Sequence, residues 1–505
     1  MVSVNTNVAS IGARNSLMGN NVTMEKAIQR LSSGQRINQA SDDAAGLQIA
    51  NSLTAQINGL KMATKNAGDG ISLVNTVDGA LSEATEILQR MRELAVQSAS
   101  DTNTGQDRIF IQDEINAMNT ELNRISSTTQ FNGVNVLDGT FGDISLQIGY
   151  DPSHTANMSV NASDSATLGA YQKTSAVETL AVVDTYALAT AGLTAAIVDG
   201  ADYTVNGFFG ADTAYISAEA SAIDVADAFN LISGNTGITA TAETRARITA
   251  GAAATFTFDL YGKSSTASSV TAVISATTDL TNLKDAINAV SGSTGIEATL
   301  TSDKAGVDLV NSEGYTIYMA DVTAAGGTDA DLLLANLTIS AAGVKTAANA
   351  VTMKGDAATD DSSYAVGQVT LSSDKAFTVT PGHANNHFSA ATASLASSLS
   401  QLGDINLKNT HGAQKALAII DKAINMVDVS RSNMGALNNR LESTIDNLSN
   451  IQVKSQAALS RIMDADYAEE TTALSKSQVL TQAATAMLAQ ANQAPQGVLR
   501  LLQAA

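Results

Sequence analysis

Helix-breaking residues are confined to a few places in this chain, and their distribution limits the fold more than any motif does. Only three prolines occur in 505 residues: Pro152, Pro381 and Pro495. The first two fall close to the limits of the middle region, so residues 1–130 and 403–505 are free to run as long amphipathic helices. The stretch between them is rich in Ala, Thr, Ser and Gly, with strand-like alternation and turn signals. A chain that leaves a helical layer, builds something β-rich and returns must pair its two ends across hundreds of residues. The expected fold class is α+β multidomain. Terminal helices from both ends form a coiled-coil or helical-bundle core, and an inserted β-rich outer region contains a duplicated α+β module. The expected division is a helical arm 1–44 pairing with 457–505, a helical core with a β-hairpin at 45–172 pairing with 400–456, and an outer region 173–399. Such an architecture suits building rather than chemistry.

Charge placement sharpens this picture. Residues 1–150 carry 10 basic and 15 acidic side chains, residues 401–505 carry 9 of each, and residues 151–400 carry 9 basic and 25 acidic. Near-neutral ends can pack densely, while an acidic middle faces water and repels its neighbours. With no basic stripe to neutralise phosphates, nucleic-acid binding is disfavoured. No run approaches the ~18–20 apolar residues of a membrane span, so membrane insertion is not expected. Met1–Asn15 lacks a basic segment followed by an apolar one, so no cleavable Sec-type signal is expected. The absence of cysteine excludes disulfides, thiolate metal sites and cysteine nucleophiles.

Helical periodicity is plain at both ends. Leu17, Met24, Ile28 and Leu31 sit on a 3–4 grid, with Ser32-Ser33-Gly34 as a stop and Ser41-Asp42-Asp43 as the next N-cap, its acidic residues in the first turn. Ala84, Leu88, Met91 and Ala95 continue the pattern. After a polar break, Ile111, Ile115, Met118, Leu122 and Ile125 form an a/d seam. At the other end Leu417, Ile420, Ile424, Val427, Met434, Leu441, Ile445 and Leu448 lie on one grid, interrupted by Arg431 and Asn438. Coiled-coil packing and an ordinary bundle core both fit. Alternation at Val134 and Val136, then at Ile144, Leu146 and Ile148, predicts a hairpin turning at Asp138-Gly139.

The middle contains a repeat: the segment Asp227–Thr241 returns 58 residues later as Asp285–Thr299. Each copy reads as a short helix, a glycine-containing turn and a strand, with modules near 201–250 and 254–321.

Catalytic motifs do not survive inspection. Gly262-Lys263-Ser264 resembles the end of a P-loop, but Thr257 stands where the first glycine must be. His383 and His387 have the spacing of a helical metal pair, yet follow Pro381-Gly382 and lack a companion Glu. Asp42-Asp43 and Asp464/Asp466 suit helix starts and helix surfaces better than acid–base work. Three N-glycosylation patterns, at Asn157, Asn161 and Asn336, are of a kind that arises often by chance. No catalytic, cofactor or metal residue is expected.

Several segments together resemble bacterial flagellin. They are Leu31-Ser-Ser-Gly34-Gln-Arg36-Ile-Asn38 with Ser41-Asp42-Asp43-Ala-Ala-Gly46, Asn66–Ser72, Gln89–Gln97 and Gln130-Phe131-Asn132-Gly133. At the other end Leu488-Ala-Gln490-Ala-Asn492-Gln493, Pro495-Gln496 and Val498-Leu499 complete the likeness, which covers about half the chain. The departures are Gln35, where the family often has an apolar or aromatic residue, and the extension Gln503-Ala504-Ala505. The resemblance implies a secreted, extracellular subunit that polymerises with itself into the motility filament. Hook-associated and cap proteins and an export chaperone would be its partners. The alternatives are a hook–filament junction protein and a surface adhesin on a flagellin scaffold. For filament-core packing it implies Leu17, Met24, Ile28, Leu31, Leu480, Met487 and Leu488. For recognition by a host Toll-like receptor it implies Gln89, Arg90, Leu94 and Gln97, with Glu114 nearby. Amphipathic ends of this kind are expected to order fully only when neighbouring subunits supply the other wall.

Overall fold

The structure, a computed structural model, describes residues 6–175, 181–183, 202–217, 220–325, 330–339, 345–355, 362–382, 388 and 393–503. His383 and His387 lie outside them. The described helices are α1 (Val8–Ser33), α2 (Ala44–Ala99), α3 (Gly105–Thr128), α4 (Ala222–Leu231), α5 (Ser233–Thr236), α6 (Thr281–Ala289), α7 (Ser291–Thr294), α8 (Thr410–Met463) and α9 (Tyr467–Gln503). None of them is long and apolar enough to cross a membrane. The chain divides into two compact units, residues 1–75, 143–159 and 434–505, and residues 76–142 and 160–433.

In the first unit α1 and α9 pair antiparallel. Asn7 Nδ2 donates to Ala491 O at 2.7 Å near one end, and Arg30 Nη1 meets Glu470 Oε1 at 2.9 Å near the other. The corner between Gly34 and Arg36 is tied to the corner between Met463 and Ala465. Arg36 N donates to Met463 O at 2.6 Å and Ala465 N donates to Gly34 O at 3.0 Å. Gly34, in the left-handed region at φ 70°, ends α1 as expected. The start of α2 differs from expectation: Asp43, not Ser41, caps it by accepting from Gly46 N at 2.8 Å. Asp42 faces back and accepts from Asn38 N and Gln39 N, so no acidic side chain enters the first turn.

From Leu60 onward one buried stripe of α2 runs through Ala63, Ala67, Gly70, Val74, Val77, Leu81, Ala84, Leu88, Met91, Ala95 and Ser98 at alternating steps of three and four, with Leu73, Thr85 and Leu94 buried beside it. This is the seam of an antiparallel pair with α8. Within the first unit Leu60, Ala63 and Leu448 cluster together. Within the second, Arg431 Nε binds Asp78 Oδ1 at 3.0 Å and Arg92 Nε binds Asp421 Oδ1 at 2.6 Å. On α8 the buried stripe runs through Ala416, Ile420, Ala423, Val427, Met434, Leu437, Leu441 and Leu448. Leu417, Ile424 and Ile445, expected on the seam, flank it at intermediate exposure; beside the first two, Ala416 and Ala423 take the buried positions.

Two expectations are corrected. The face of α3 that turns inward carries Gln112, Asn119 and Ser126 rather than Met118 and Ile125. Its polar members meet irregular chain, while Ile111, Ile115 and Leu122 are buried as expected. Leu407 N donates to Gln112 Oε1 at 2.7 Å, Gln112 Nε2 donates to Ile405 O at 3.2 Å, and Ser126 Oγ donates to Leu137 O at 2.6 Å. Side-chain amides there satisfy main-chain groups that no ladder reaches. Second, the predicted hairpin is two hairpins. Gln130–Phe131 pairs with Val134–Asn135 around Asn132-Gly133, both at positive φ, the stronger two-residue turn signal. Asp143–Gln147 pairs instead with Thr155–Ser159, which places Leu146 against Gly70 of α2.

The β-rich part of the second unit is antiparallel throughout its described pairings. One sheet of eight strands runs from Glu297–Leu300 through Val307–Asn311, Thr239–Ala250, Gln368–Ser373 and Gly169–Thr174 to Ser398–Gln401, with Asp331–Ile339 branching from Thr239–Ala250 and Lys345–Lys354 pairing outside it. The repeat is real at atomic detail. Asn230 accepts from Ala240 N at 2.8 Å and donates to Ala240 O at 3.0 Å, and Asn288 does the same to Ala298 at 2.8 and 2.9 Å. Each Asn side chain mimics a strand neighbour and locks the helix to the strand that follows. Two separate cores result, one around Phe229 and Tyr203, the other around Phe256, Phe258 and Leu283.

Candidate assembly surfaces

The α1–α9 pair is thin. Its inner seam on α1 is Ala13, Leu17, Asn20, Met24, Ala27 and Leu31, of which Ala27 alone is fully buried. On α9 the facing stripe is Leu474, Ser477, Thr481, Ala484, Leu488 and Ala491. Seven of these twelve side chains are small or polar, so the pair holds together by close approach, capping contacts and the Arg30–Glu470 ion pair rather than by a deep core.

A second apolar stripe lies on the opposite face. Val8, Ile11, Met18 and Val22 repeat at steps consistent with three and four, and Met18 is 61% exposed. On α9, Val479, Leu480 and Met487 are likewise exposed, Met487 at 65%. The expected packing residues therefore separate into two sets. Leu17, Met24, Leu31 and Leu488 join the intramolecular seam; Ile28, Leu480 and Met487 face outward. Val8, Ile11, Met18, Val22 and Val479 were not anticipated, although their spacing was readable from the first.

The Gln89–Gln97 segment lies on α2 in the second unit. Arg90 bridges Glu93 at 2.9 Å and Glu114 of α3 at 3.0 Å, which hold its guanidinium in the charged form. Gln89, Gln97 and Glu114 are exposed beside it. Leu94 is 2% exposed and stands behind this surface, in the α2 interior. The paired carboxylates are structural: Asp466 caps α9 through Ala468 N at 2.8 Å, and Asp464 accepts from Ser460 Oγ. Gly262-Lys263-Ser264 forms a hairpin turn in which Lys263 pairs with Glu313 at 2.9 Å.

One buried titratable cluster sits where α8 begins. Arg245 Nη2 donates to His411 Nδ1 at 2.6 Å, and Glu243 lies between them, bound to the same guanidinium. Burial first, then the positive charges of Arg245, Lys415 and Lys345, push His411 down to about 3.

A helical pair with an unpartnered apolar face is the form of a self-assembling subunit. Family models agree. The bacterial flagellin N-terminal helical region matches residues 4–142, the bacterial flagellin C-terminal helical region matches 417–502, and the flagellin hook IN motif matches 255–314. The B-type flagellin of Pseudomonas aeruginosa is 38% identical over 99% of this chain and 100% of its own length. A flagellin of Salmonella muenchen is 37% identical over 99% of both chains. The chain belongs to the bacterial flagellin family, the structural subunits of the extracellular filament that drives swimming.

Proposed function

We propose that subunits join in the filament through the outward stripes of α1 and α9, with Ile28, Leu480 and Met487 among the contacts. Leu17, Met24, Leu31 and Leu488 hold the pair in the shape that presents them. The observation that carries this reading is an apolar face at heptad spacing left uncovered in the single chain. A contact repeated head to tail without ring closure gives an open helical polymer. Met18→Asp and Met487→Asp should each prevent polymerisation on salting-out or seeding, with monomer helicity unchanged by circular dichroism. Normal filaments from both variants would sink this assignment. The same termini are the natural contacts for hook-associated and cap proteins, and for a chaperone that shields the stripes before export.

A second reading concerns a host Toll-like receptor. It is supported by the exposed Arg90–Glu114 pair with Gln89 and Gln97 alongside, Leu94 acting from beneath by fixing the helix. Arg90→Ala monomer should signal more weakly through that receptor, and an unchanged dose response rejects the site.

A further inference from the structure

The two copies of the repeated module serve as controls for each other. In the first, strands Asp202–Asn206 and Ala211–Tyr215 form a hairpin; in the second, Thr255–Tyr261 and Ser268–Val273 do. Each hairpin turn begins with a glycine, Gly207 or Gly262, whose missing Cβ makes room for the carbonyl of Thr236 or Thr294. The turn then crosses the left-handed glycine that ends the short helix. A Cβ on Gly237 would lie 2.9 Å from the Phe209 ring, and one on Gly295 would lie 3.5 Å from Lys263 Cβ. Phe208-Phe209 follow Gly207 as Lys263-Ser264 follow Gly262, and one residue of each pair, Phe209 or Lys263, covers the left-handed glycine of its own copy.

The comparison shows that the module needs no aromatic residue there. The second copy folds with Lys263-Ser264, and Lys263 pairs with Glu313. The first copy carries Phe208-Phe209, ring centroids 5.6 Å apart, 62% and 72% exposed. In a chain with only ten Phe, ten Tyr and no Trp, two adjacent rings held in water at a hairpin tip oppose the usual burial of aromatics. Polar groups surround them. Lys375 Nζ sits 4.7 Å from the Phe208 centroid, and Asn235 Nδ2 donates to Asp212 Oδ2 at 2.8 Å where the turn enters the second strand.

We infer that the Phe208–Phe209 tip is a binding platform for a neutral glycan. Two rings present at most about 300–500 Å² of apolar surface, well short of the roughly 800 Å² per partner of a stable protein interface. The area suits one or two pyranose rings. A sugar offers an apolar C–H face to stack on a ring and hydroxyls for polar neighbours. Phe has no polar handle of its own, so Asp212, Asn235 and Lys375 supply the hydrogen bonds. The net acidic middle region, 9 basic against 25 acidic side chains, disfavours sialylated glycans and anionic lipid surfaces. Each site alone binds weakly, and a filament repeats it many times, so avidity carries the attachment.

The test uses assembled filaments of the full chain on agarose beads bearing lactose, maltose or chitobiose, with sialyllactose beads and phosphatidylglycerol vesicles alongside. Wild-type filaments should be retained on at least one neutral bead and eluted by the same free sugar. The double variant F208K/F209S, which borrows the residues of the second module, should lose retention at least tenfold. F208Y/F209Y, which keeps both rings, should retain it. Absence of retention on all three neutral beads overturns the proposal, as does equal retention of wild type and F208K/F209S. Retention on only sialyllactose or the anionic vesicles does so too. A polymerisation defect in F208K/F209S with unchanged bead binding would assign the rings to a second copy of the chain and would equally overturn it.

Discussion

His411 is held neutral by its surroundings, and that has a consequence for stability. Its ring accepts a hydrogen bond from Arg245, so a proton on Nδ1 would set two cations face to face within a largely buried site, with Glu243 the nearest compensating charge. The folded value of about 3 lies below the ordinary 6.5. The unfolded chain therefore binds the proton first. Stability from this group is full above pH 6.5, falls as pH drops from 6.5 towards 3, and levels off below that. Between pH 7 and pH 4 the thermal midpoint of monomer unfolding should fall more for the wild type than for His411→Gln, which can still accept from Arg245. Equal slopes would show that the folded protein protonates His411 as readily as the unfolded chain does, and would reject the depressed value. The sequence put four histidines in view and offered no signal for this one. His411 and Arg245 are 166 residues apart, and only folding brings them together.

At the scale of elements, the repeat and the helices contrast in how much local pattern reveals. Asn230 and Asn288 recur at the same place in both copies, and each makes two hydrogen bonds to the strand ten residues on. Removing one side chain leaves a strand N–H and C=O unpaired, at about 1–3 kcal/mol per group. Asn288→Ala should lower the denaturant midpoint of the second module while the Gln89–Gln97 helix keeps its hydrogen-exchange protection. A loss smaller than about 0.5 kcal/mol would show that water replaces the amide. This module was legible because its helix, turn and strand are contiguous. The face of α3 was not. Beside Ile111, Ile115 and Leu122, its spacing permits either Met118 and Ile125 or Asn119 and Ser126 to turn inward, one residue apart. The partner decides, and that partner is irregular chain near Ile405 whose main-chain groups demand amides.

At the scale of the molecule, the insert leaves and returns on neighbouring strands. Gly169–Thr174 pairs with Ser398–Gln401, Gln172 directly opposite Ser398. Strand neighbours lie about 5 Å apart, so the ends of the outer region are already closed on each other. Replacing residues 176–396 with a short Gly-Ser linker should leave the helical ends folded and able to polymerise, as read by electron microscopy. Complete loss of filaments would make the outer region part of the assembly core. The sequence by itself determined the long helical ends, the family signatures within them and the existence of a repeated module. All are local: a heptad, a capping glycine or a recurring 15-residue pattern needs no distant partner to be recognised. The tertiary structure alone decided which of two apolar stripes on α1 and α9 closes the pair and which stays open. It also decided that Asp143–Gln147 joins Thr155–Ser159, and that Phe208 and Phe209 stand in water. Periodicity reports that a face is apolar but is blind to what will cover it, because covering depends on chain hundreds of residues away.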